Sequence, residues 1–305
     1  MTHPYHPPVP PPSLQATIQL PRTLPRPPSA PPERTRAGLD VFDPGLAEYP
    51  LPFIQMQLVL CAESLLRGLR DVSSLLPPTL SVDATSPLPS SISVDVPISV
   101  DTFHPTHILA AVEPVVSNSN SDSEAPTTIT LIPIHGAVFG AHSTAPILQP
   151  TPVSPDVDGD VQQREPLVLP LVPITLPSIP AFLAIRSFMY THSADSLLST
   201  LLPPLTFTAE SIKMAAEAPG RLRLAHLLRS AYPSPRDLLQ CAERVHDVWR
   251  TVCGLEIGGD DHGDAMWDAI WLAWEVVLGA LSLVALRGAE MDGQVDSMES
   301  PVKED

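Results

Sequence analysis

The stretch Thr127–Ile134 has the sequence TTITLIPI, which is typical of a β-strand. The neighbouring elements are predicted from their patterns on either side of this strand. Threonine and isoleucine are β-branched residues, which pack well on a pleated sheet. The run Ile108–Val116 has the same character, and the acidic, serine-rich segment Asn118–Glu124 separates the two runs. This pattern predicts a β-hairpin.

A third strand is predicted at Leu167–Val172, beyond a proline-rich loop. Pro170 lies inside this run and lacks the N–H group that a central strand donates, so the run is predicted to be an edge strand. Helical patterns follow at Ala181–Thr191 and Ser196–Leu202. Strands followed by helices indicate an α+β fold.

The C-terminal part of the chain is predicted to form a helical layer. Two helices, Ala209–Glu217 and Arg221–Ala231, are separated by Pro219-Gly220. The capping sequence Ser234–Asp237 then begins a third helix. Apolar residues repeat at spacings of four and three along the last two helices, which predicts that they pack as an antiparallel hairpin. These residues are Leu238, Ala242, Val245, Trp249 and Val252 in one helix, and Trp267, Trp271, Trp274, Leu278 and Leu281 in the other.

Another helix is predicted nearer the N terminus, at residues 53–76. Its apolar positions recur at alternating spacings of four and three, which is an amphipathic pattern, and Pro77 ends it. The positions are Leu58, Ala62, Leu65, Leu69, Val72 and Leu76.

Proline accounts for 39 of the 305 residues, more than twice the usual share, which excludes regular structure along the whole length. Disorder is predicted where proline, serine and acidic residues occur without apolar periodicity, as in a loose Ser-Val-Asp repeat between residues 81 and 101. The predicted units are a disordered proline-rich tail (1–45), an amphipathic helix on the core (46–78), a low-complexity linker (79–104), an α+β core with a proline-rich loop (105–204), a helical region (205–288) and an acidic disordered tail (289–305).

The formal net charge is −17, so the chain lacks the basic footprint that nucleic-acid binding needs. Cys61, Cys241 and Cys253 lie in apolar helical patterns without a Cys-x-x-Cys spacing, which indicates reduced thiols in an intracellular protein. The first forty residues contain no apolar core of a secretory signal. An intracellular location, cytoplasmic, nuclear or both, is therefore predicted.

The usual nucleotide-binding, hydrolase and zinc-protease signatures do not occur, so no catalytic residue, cofactor or metal ligand is predicted. One alternative from another class is a metal-dependent enzyme. Its ligands would be Asp260, Asp261, His262 and Asp264, because aspartate and histidine together bind divalent ions. Acidic residues before a helix also stabilise the positive end of its dipole, and we favour this capping role.

The N-terminal tail contains one candidate binding motif. Arg22, Pro25 and Pro28 fit the RxxPxxP pattern of an SH3-domain ligand. In that mode a preformed polyproline helix docks on an aromatic groove, and the arginine sets its orientation. A tail so rich in proline also produces such matches by chance. The motif predicts an SH3-domain protein as one type of partner of the tail.

The last helix raises the question of a membrane anchor, because Ile270–Leu286 contains a single charged residue, Glu275. A membrane span usually needs ~20 apolar residues, and an acid near its centre costs about 2.5–3.5 kcal/mol on insertion. The tryptophans near the start of this helix match the apolar positions of the preceding one. A core helix is therefore predicted, with no membrane partner.

The sequence IHGAVFGAHS, at Ile134–Ser143, resembles the strand-to-helix signature of BTB/POZ domains, in which a histidine precedes a hydrophobic pair and a small-x-Ser ending. Leu169–Val172, followed by Ala181-Phe182 and Phe188–Thr191, is similar to the third strand and the next helix of that family. The resemblance covers about residues 107–203. It departs from the family in its proline-laden loop.

This resemblance implies a small BTB/POZ-like sheet with helices, used for binding other proteins or a second copy of the chain as a homodimer. It implies that His135, Phe182 and Tyr190 are structural residues. It also implies an alternative function, as the substrate adaptor of a cullin ubiquitin ligase.

The layout of the wider chain resembles the clampless-type developmental regulators of basidiomycete fungi. The resemblance rests on Ala231-Tyr232-Pro233 and on the tryptophan-rich helices around Trp249 and Trp267–Trp274. That family is implicated in clamp-cell formation and sexual development, without known catalytic activity. It implies a non-enzymatic, intracellular protein-interaction factor that regulates fungal development.

Overall fold

The computed structural model describes residues 19–26, 39, 44–82, 87–96, 102–114, 127–144, 166–258 and 261–298. Within these residues the chain forms five strands and nine α-helices, which confirms the predicted α+β class. The strands are β1 (Thr79–Val82), β2 (Ser91–Asp95), β3 (His107–Val112), β4 (Thr127–Ile134) and β5 (Pro166–Thr175). The helices are α1 (Leu51–Leu60), α2 (Ala62–Leu75), α3 (Gly136–His142), α4 (Ile179–Thr191), α5 (Ala194–Leu201), α6 (Ala209–Ala215), α7 (Ala218–Ala231), α8 (Pro235–Gly254) and α9 (Asp261–Met298).

The strands form one sheet in the order β1-β4-β3-β5-β2. β3 and β4 pair antiparallel, with Ile108 opposite Pro133, so the predicted hairpin is confirmed. Side chains alternate between the two faces of a strand. Accordingly, Ile108 and Ala110 pack in one apolar cluster, while Leu109 and Ala111 pack in another. The sheet is therefore covered on both faces.

β5 is an inner strand, so the prediction that Pro170 makes it an edge strand is wrong. The first half of β5 pairs antiparallel with β2, and the last pair in this register is Ser91 opposite Pro170. The second half pairs in parallel with β3, from Leu171 to Thr175. In these registers each half of β5 has a partner on one side. A proline without an N–H group is therefore tolerated as it is in an edge strand.

The predicted linker at residues 79–104 contains the two outer strands of the sheet, so the linker prediction is wrong for β1 and β2. The Ser-Val-Asp units alternate polar and apolar residues, which is typical of a strand with one buried face. In β2 the side chain of Val94 is buried, whereas Ser93 and Asp95 are exposed. The third unit, Ser99–Asp101, lies outside the described residues.

The amphipathic pattern at residues 53–76 forms α1 and α2, which meet at Cys61. The predicted apolar positions Leu65, Leu69 and Val72 of α2 are buried, so the predicted face is confirmed. They pack against both apolar clusters of the sheet.

α2 approaches the segment before β3 closely at Gly68. A β-carbon added at Gly68 would lie 1.8 Å from the carbonyl oxygen of Phe103. The absence of a side chain therefore allows the helix to pack directly on the backbone of this segment.

α8 begins where the capping sequence predicts. The Ser234 hydroxyl accepts a hydrogen bond from the backbone N–H of Arg236 at 3.2 Å. Pro235 is the first helical residue, a position where its missing N–H group leaves no hydrogen bond unmade.

α9 packs against α7, α8 and α5. Trp267 and Trp274 of its predicted apolar face are buried, but Trp271 is only half-buried. The buried face is wider than predicted and includes Ile270 and Val277, because α9 contacts helices on more than one side.

α9 is also longer than predicted and ends at Met298. The acidic tail, predicted to be disordered from residue 289, is therefore helical over residues 289–298. Pro301 is the first proline beyond α9, so no proline interrupts the helical hydrogen bonds before that point. Residues 299–305 lie outside the described part of the chain.

By length and composition, the span Asp264–Leu286 of α9 meets the criteria for a membrane-crossing helix, with a mean hydropathy of 2.0 over its most apolar window. Of that window, 39% is buried inside the protein. The core helices of soluble proteins pass the same test, so the choice of a core helix stays a prediction.

Candidate functional site

All four tryptophans of the chain lie on α8 and α9. Trp267, Trp271 and Trp274 follow one another at spacings of four and three, which places them along one face of α9. Trp249 lies on α8, and the His246 ring lies between the rings of Trp249 and Trp274, with centroids 5.2 and 6.5 Å away. These four tryptophans are called the tryptophan surface below.

Residues 19–26, called the docked segment below, lie on the tryptophan surface. The Trp249 indole Nε1 donates to the carbonyl oxygen of Pro25 at 2.8 Å. Trp271 Nε1 donates to the carbonyl of Leu24 at 2.9 Å, and Trp274 Nε1 donates to that of Pro21 at 3.2 Å. Three indole groups therefore hold the backbone of a proline-rich segment.

Leucine side chains anchor the docked segment. Leu24 is 2% exposed and belongs to the main apolar core, and Leu20 is half-buried against the same core. Proline follows each leucine directly, and a residue before proline is restricted to extended conformations. The segment is therefore partly ordered by its own sequence before it docks.

An electrostatic contact holds the C-terminal end of the segment. Arg26 Nη1 lies 2.5 Å from Asp264 Oδ1 at the start of α9. The Arg26 guanidinium also lies 5.9 Å from the centre of the Trp267 ring. Asp264 is well exposed, so we expect each contact to contribute at most about 1 kcal/mol.

This arrangement corrects the prediction that the whole tail at residues 1–45 is disordered. Residues 19–26 are packed, and a short 3₁₀ helix spans Pro44–Glu48. Leucines next to prolines had no apolar periodicity to reveal them, and their binding surface is more than 200 residues away in the sequence.

The structure places two of the three SH3-motif residues within the docked segment. Arg22 and Pro25 are exposed, and the chain bends at Arg22 and Thr23. Pro28 lies outside the described residues. A straight polyproline helix, as SH3 domains bind it, is therefore not the conformation of this segment.

A cavity of about 430 Å³ adjoins the tryptophan surface and shares Trp271 with it. Asp268, Glu275 and Arg221 bring charge to its otherwise apolar lining. Arg221 Nε lies 2.9 Å from Glu275 Oε2, so these two charges are paired.

A second polar cluster, around His135, is buried beside the sheet. Tyr190 Oη lies 2.8 Å from His135 Nδ1 and accepts a hydrogen bond from the His135 backbone N–H at 3.1 Å. His135 Nε2 lies 3.0 Å from the carbonyl oxygen of Phe103. Because a carbonyl only accepts, Nε2 carries the proton and Nδ1 accepts from the Tyr190 hydroxyl. Every polar atom of the ring therefore has a partner.

Burial sets the protonation states in this cluster. Desolvation lowers the pKa of His135 to about 4, so the imidazole is neutral at pH 7. Desolvation also raises the pKa of Tyr190, which keeps its hydroxyl protonated. The cluster is a structural network, and its residues are those of the BTB/POZ resemblance.

A pair of histidines joins α3 to the end of α4. The Nε2 atoms of His142 and His192 lie 2.7 Å apart, and His142 Nδ1 donates to the carbonyl of Val138 at 2.8 Å. Next to them, Ser143 Oγ donates to the carbonyl of Leu255 at 2.6 Å. These contacts join the C-terminal end of α3 to the end of α4 and to the turn after α8.

The acidic cluster proposed as a metal site is only partly described. Asp260 and the side chains of Asp261 and His262 lie outside the described residues, and Asp264 contacts Arg26. Among the described side chains, no group of three histidine, cysteine or acidic residues is arranged to hold a metal ion.

The chain is thus an α+β protein whose helical layer binds a proline-rich segment of the same chain. Comparison with known families extends this description. A family model described as the Clampless protein 1 N-terminal domain matches residues 27–177, and one described as the Clampless protein 1 C-terminal domain matches residues 195–304. The chain is therefore a member of the clampless protein family. No curated protein and no solved structure matches it.

The two matches separate the sheet from the tryptophan surface. The N-terminal match contains the whole sheet, and the C-terminal match contains all four tryptophans. The docked segment precedes both matches, so neither family match covers it.

Proposed function

We propose that this chain is a non-enzymatic, intracellular protein-interaction factor that regulates fungal sexual development and clamp-cell formation. Membership of the clampless family supports the developmental role. The tryptophan surface supports the interaction role, because it already binds a proline-rich segment through backbone carbonyls.

The observation that carries this proposal is the set of three indole donors. Proline-rich peptides have carbonyl groups without internal hydrogen bonds, and the domains that bind them use aromatic surfaces. Trp249 and Trp271 remain half-buried while they donate, so part of each ring faces outward. Such a surface suits recognition of an extended peptide.

The described titratable groups support a role without catalysis. Burial raises the pKa of the Cys241 and Cys253 thiols and keeps them in the protonated form, which is a poor nucleophile. His135 is neutral, and both of its ring nitrogens are already bonded. These groups therefore suit packing better than general-base or nucleophilic catalysis.

The proposal includes a BTB/POZ-like core that binds either another protein or a second copy of the chain. His135 and Tyr190 share hydrogen bonds, and Phe182 is fully buried in the same apolar core. Three residues of the resemblance thus help to hold the end of β4 against α4.

The proposal also includes an SH3-domain protein as a partner of the tail. Arg22 and Pro25 are exposed, but Leu24 between them is buried on the tryptophan surface. The docked segment would therefore have to leave the tryptophan surface before an SH3 domain could bind the motif.

The direct test is genetic and biochemical. Deletion of the gene in the fungus that encodes it should abolish clamp-cell formation, and a tagged wild-type copy should restore it and co-purify with protein partners. Normal sexual development after deletion would refute the developmental role. Stable recovery of a cullin would replace the proposal with the adaptor function.

A fractionation experiment tests the absence of a membrane partner. The intact protein should remain in the supernatant after high-speed centrifugation of a cell lysate. Pelleting with membranes that resists carbonate extraction would instead identify α9 as an anchor, because its apolar stretch is long enough to span a bilayer.

A further inference from the structure

The docked segment contains the same three residues twice. Leu20-Pro21-Arg22 and Leu24-Pro25-Arg26 follow each other at a spacing of four. The two proline carbonyls occupy equivalent places, and each accepts a hydrogen bond, from Trp274 at Pro21 and from Trp249 at Pro25. The tryptophan surface therefore contacts both Leu-Pro-Arg units.

Most of the hydrogen bonds to the docked segment do not depend on its side chains. The indole groups contact backbone carbonyls, which every peptide supplies. Side-chain selection comes from the buried Leu24, the half-buried Leu20 and the Arg26–Asp264 pair. Any extended peptide with leucine, proline and arginine in this order would satisfy the same groups.

The docked segment is also weakly held. Of its eight residues, only Leu24 is buried, and the side chains of Gln19, Pro21, Arg22, Thr23 and Pro25 are exposed. Interfaces this small are weak, and the segment remains bound because it is tethered to its receptor, which raises its effective concentration. A competing peptide with more contacts would exchange with it.

We infer that the tryptophan surface is a receptor for basic, proline-rich peptides with a Leu-Pro-Arg core, and that residues 19–26 occupy it until a partner protein's peptide takes their place. The partner is basic because Asp264 and the net charge of −17 favour a cationic ligand. This inference rests on the proposed protein-interaction function and names the chemistry of the partner.

The test uses the full chain with its own ligand weakened. A Leu20→Ser/Leu24→Ser double variant empties the surface without changing the tryptophans. The probe is a fluorescein-labelled synthetic peptide with the sequence of residues 17–28, followed by anisotropy. Saturable binding to the double variant is expected, with wild-type protein binding at least about tenfold more weakly because its tethered segment competes.

Matched controls define what the peptide recognises. Arg22→Ser changes an exposed residue of the docked segment and should leave the protein as weak a receptor as the wild type. A peptide in which both leucines are serine should not bind. Adding Trp271→Phe to the double variant removes one donor and should weaken binding about fivefold, as expected for one hydrogen bond of about 1 kcal/mol.

All four tryptophans lie at the surface in question, so intrinsic fluorescence gives an independent readout of its occupation. Circular dichroism first checks that the double variant is folded. If it is not, Arg26→Glu serves instead, because it places a carboxylate beside Asp264 and leaves the leucines in place.

The absence of saturable binding to a folded variant would overturn the inference. Equal binding of the leucine-to-serine peptide and the unaltered peptide would also overturn it. A dimer of the wild-type protein that the double variant abolishes would assign the surface to a second copy of the chain. Failure of peptide binding with a developmental defect on deletion would refute only this inference. Peptide binding without a developmental defect would refute only the proposed developmental role.

Discussion

The His135 cluster and the tryptophan surface both join distant parts of the chain through hydrogen bonds, but they differ in burial. His135 and Tyr190 are 4% and 1% exposed, and the hydrogen bonds join the residue after β4 to α4 and to the segment before β3. Of the three indole donors, Trp249 and Trp271 are half-buried and Trp274 is 2% exposed, and their shared partner is a short segment from the N-terminal part of the chain.

The difference separates a structural network from a binding surface. A buried polar group that loses its partner suffers the full desolvation penalty. The hydrogen bonds of the His135 cluster are therefore expected to break only when the protein unfolds. An indole N–H at a half-buried position exchanges a protein acceptor for water at little cost. We therefore expect the tryptophan surface to release its ligand without unfolding of the protein.

The largest effect should come from Tyr190→Ala, because it removes both a buried ring and the hydroxyl that satisfies His135. We expect the free energy of unfolding, measured by urea denaturation, to fall by about 3–5 kcal/mol. Tyr190→Phe keeps the ring and should account for about 1–3 kcal/mol of this loss. A loss below about 1 kcal/mol for Tyr190→Ala would contradict the structural role of the cluster.

The next effect is a pH dependence carried by His135. Its folded pKa of about 4 lies below the ordinary value of 6.5, so the unfolded state takes up a proton first as pH falls. Stability should therefore fall by about 3 kcal/mol between about pH 6.5 and pH 4 and level off below that range. The contribution is fully present above pH 6.5.

Thermal melting across this pH range, compared with a His135→Gln variant, measures the contribution. The variant should lose this part of the pH dependence, whereas His226→Gln, at an exposed helical position, should keep it. Equal pH profiles for the wild type and His135→Gln would show that the imidazole is not buried in its neutral form.

Gly68→Ala should have an intermediate effect on the same cluster. The new methyl group would overlap the Phe103 carbonyl, which accepts from His135 Nε2, so α2 and this loop must separate. We expect a loss of about 1–3 kcal/mol in urea denaturation. Gly254→Ala is the matched control, because a β-carbon there meets no atom within 4 Å, and it should be neutral or slightly stabilising.

The smallest effect on stability should come from Trp271→Phe at the tryptophan surface. It removes one donor to the Leu24 carbonyl and should cost about 1 kcal/mol or less. The docked segment should nevertheless be released more often, so trypsin should cleave after Arg22 about fivefold faster. A change in the melting temperature as large as that of Tyr190→Phe would erase the distinction between the two regions.

Part of the fold was predictable because it depends on local patterns. The β-branched residues of Thr127–Ile134, the cap at Ser234 and the apolar face of α2 each specify one element through neighbouring residues. The buried tryptophans Trp267 and Trp274 followed from helical spacing in the same way. Local propensity and periodicity act over a few residues, so a single sequence reveals them.

The partners of these elements were not predictable. Pro170 indicated an edge strand, but β5 lies inside the sheet because two partners each cover one half of it. Ser93-Val94-Asp95 indicated a linker, but it forms an outer strand once β5 offers an edge. Each outcome depends on what another part of the chain supplies.

The amino-acid sequence by itself determined the α+β class, the positions of most helices and strands, and the tryptophan-rich, acidic character of the C-terminal layer. Only the tertiary structure decided the strand order, the satisfied state of His135 and the docking of residues 19–26. The physical reason is the range of the interactions. Hydrogen bonds from Trp249, Trp271 and Trp274 reach residues 224 to 253 positions away, and such contacts exist only after the chain has folded.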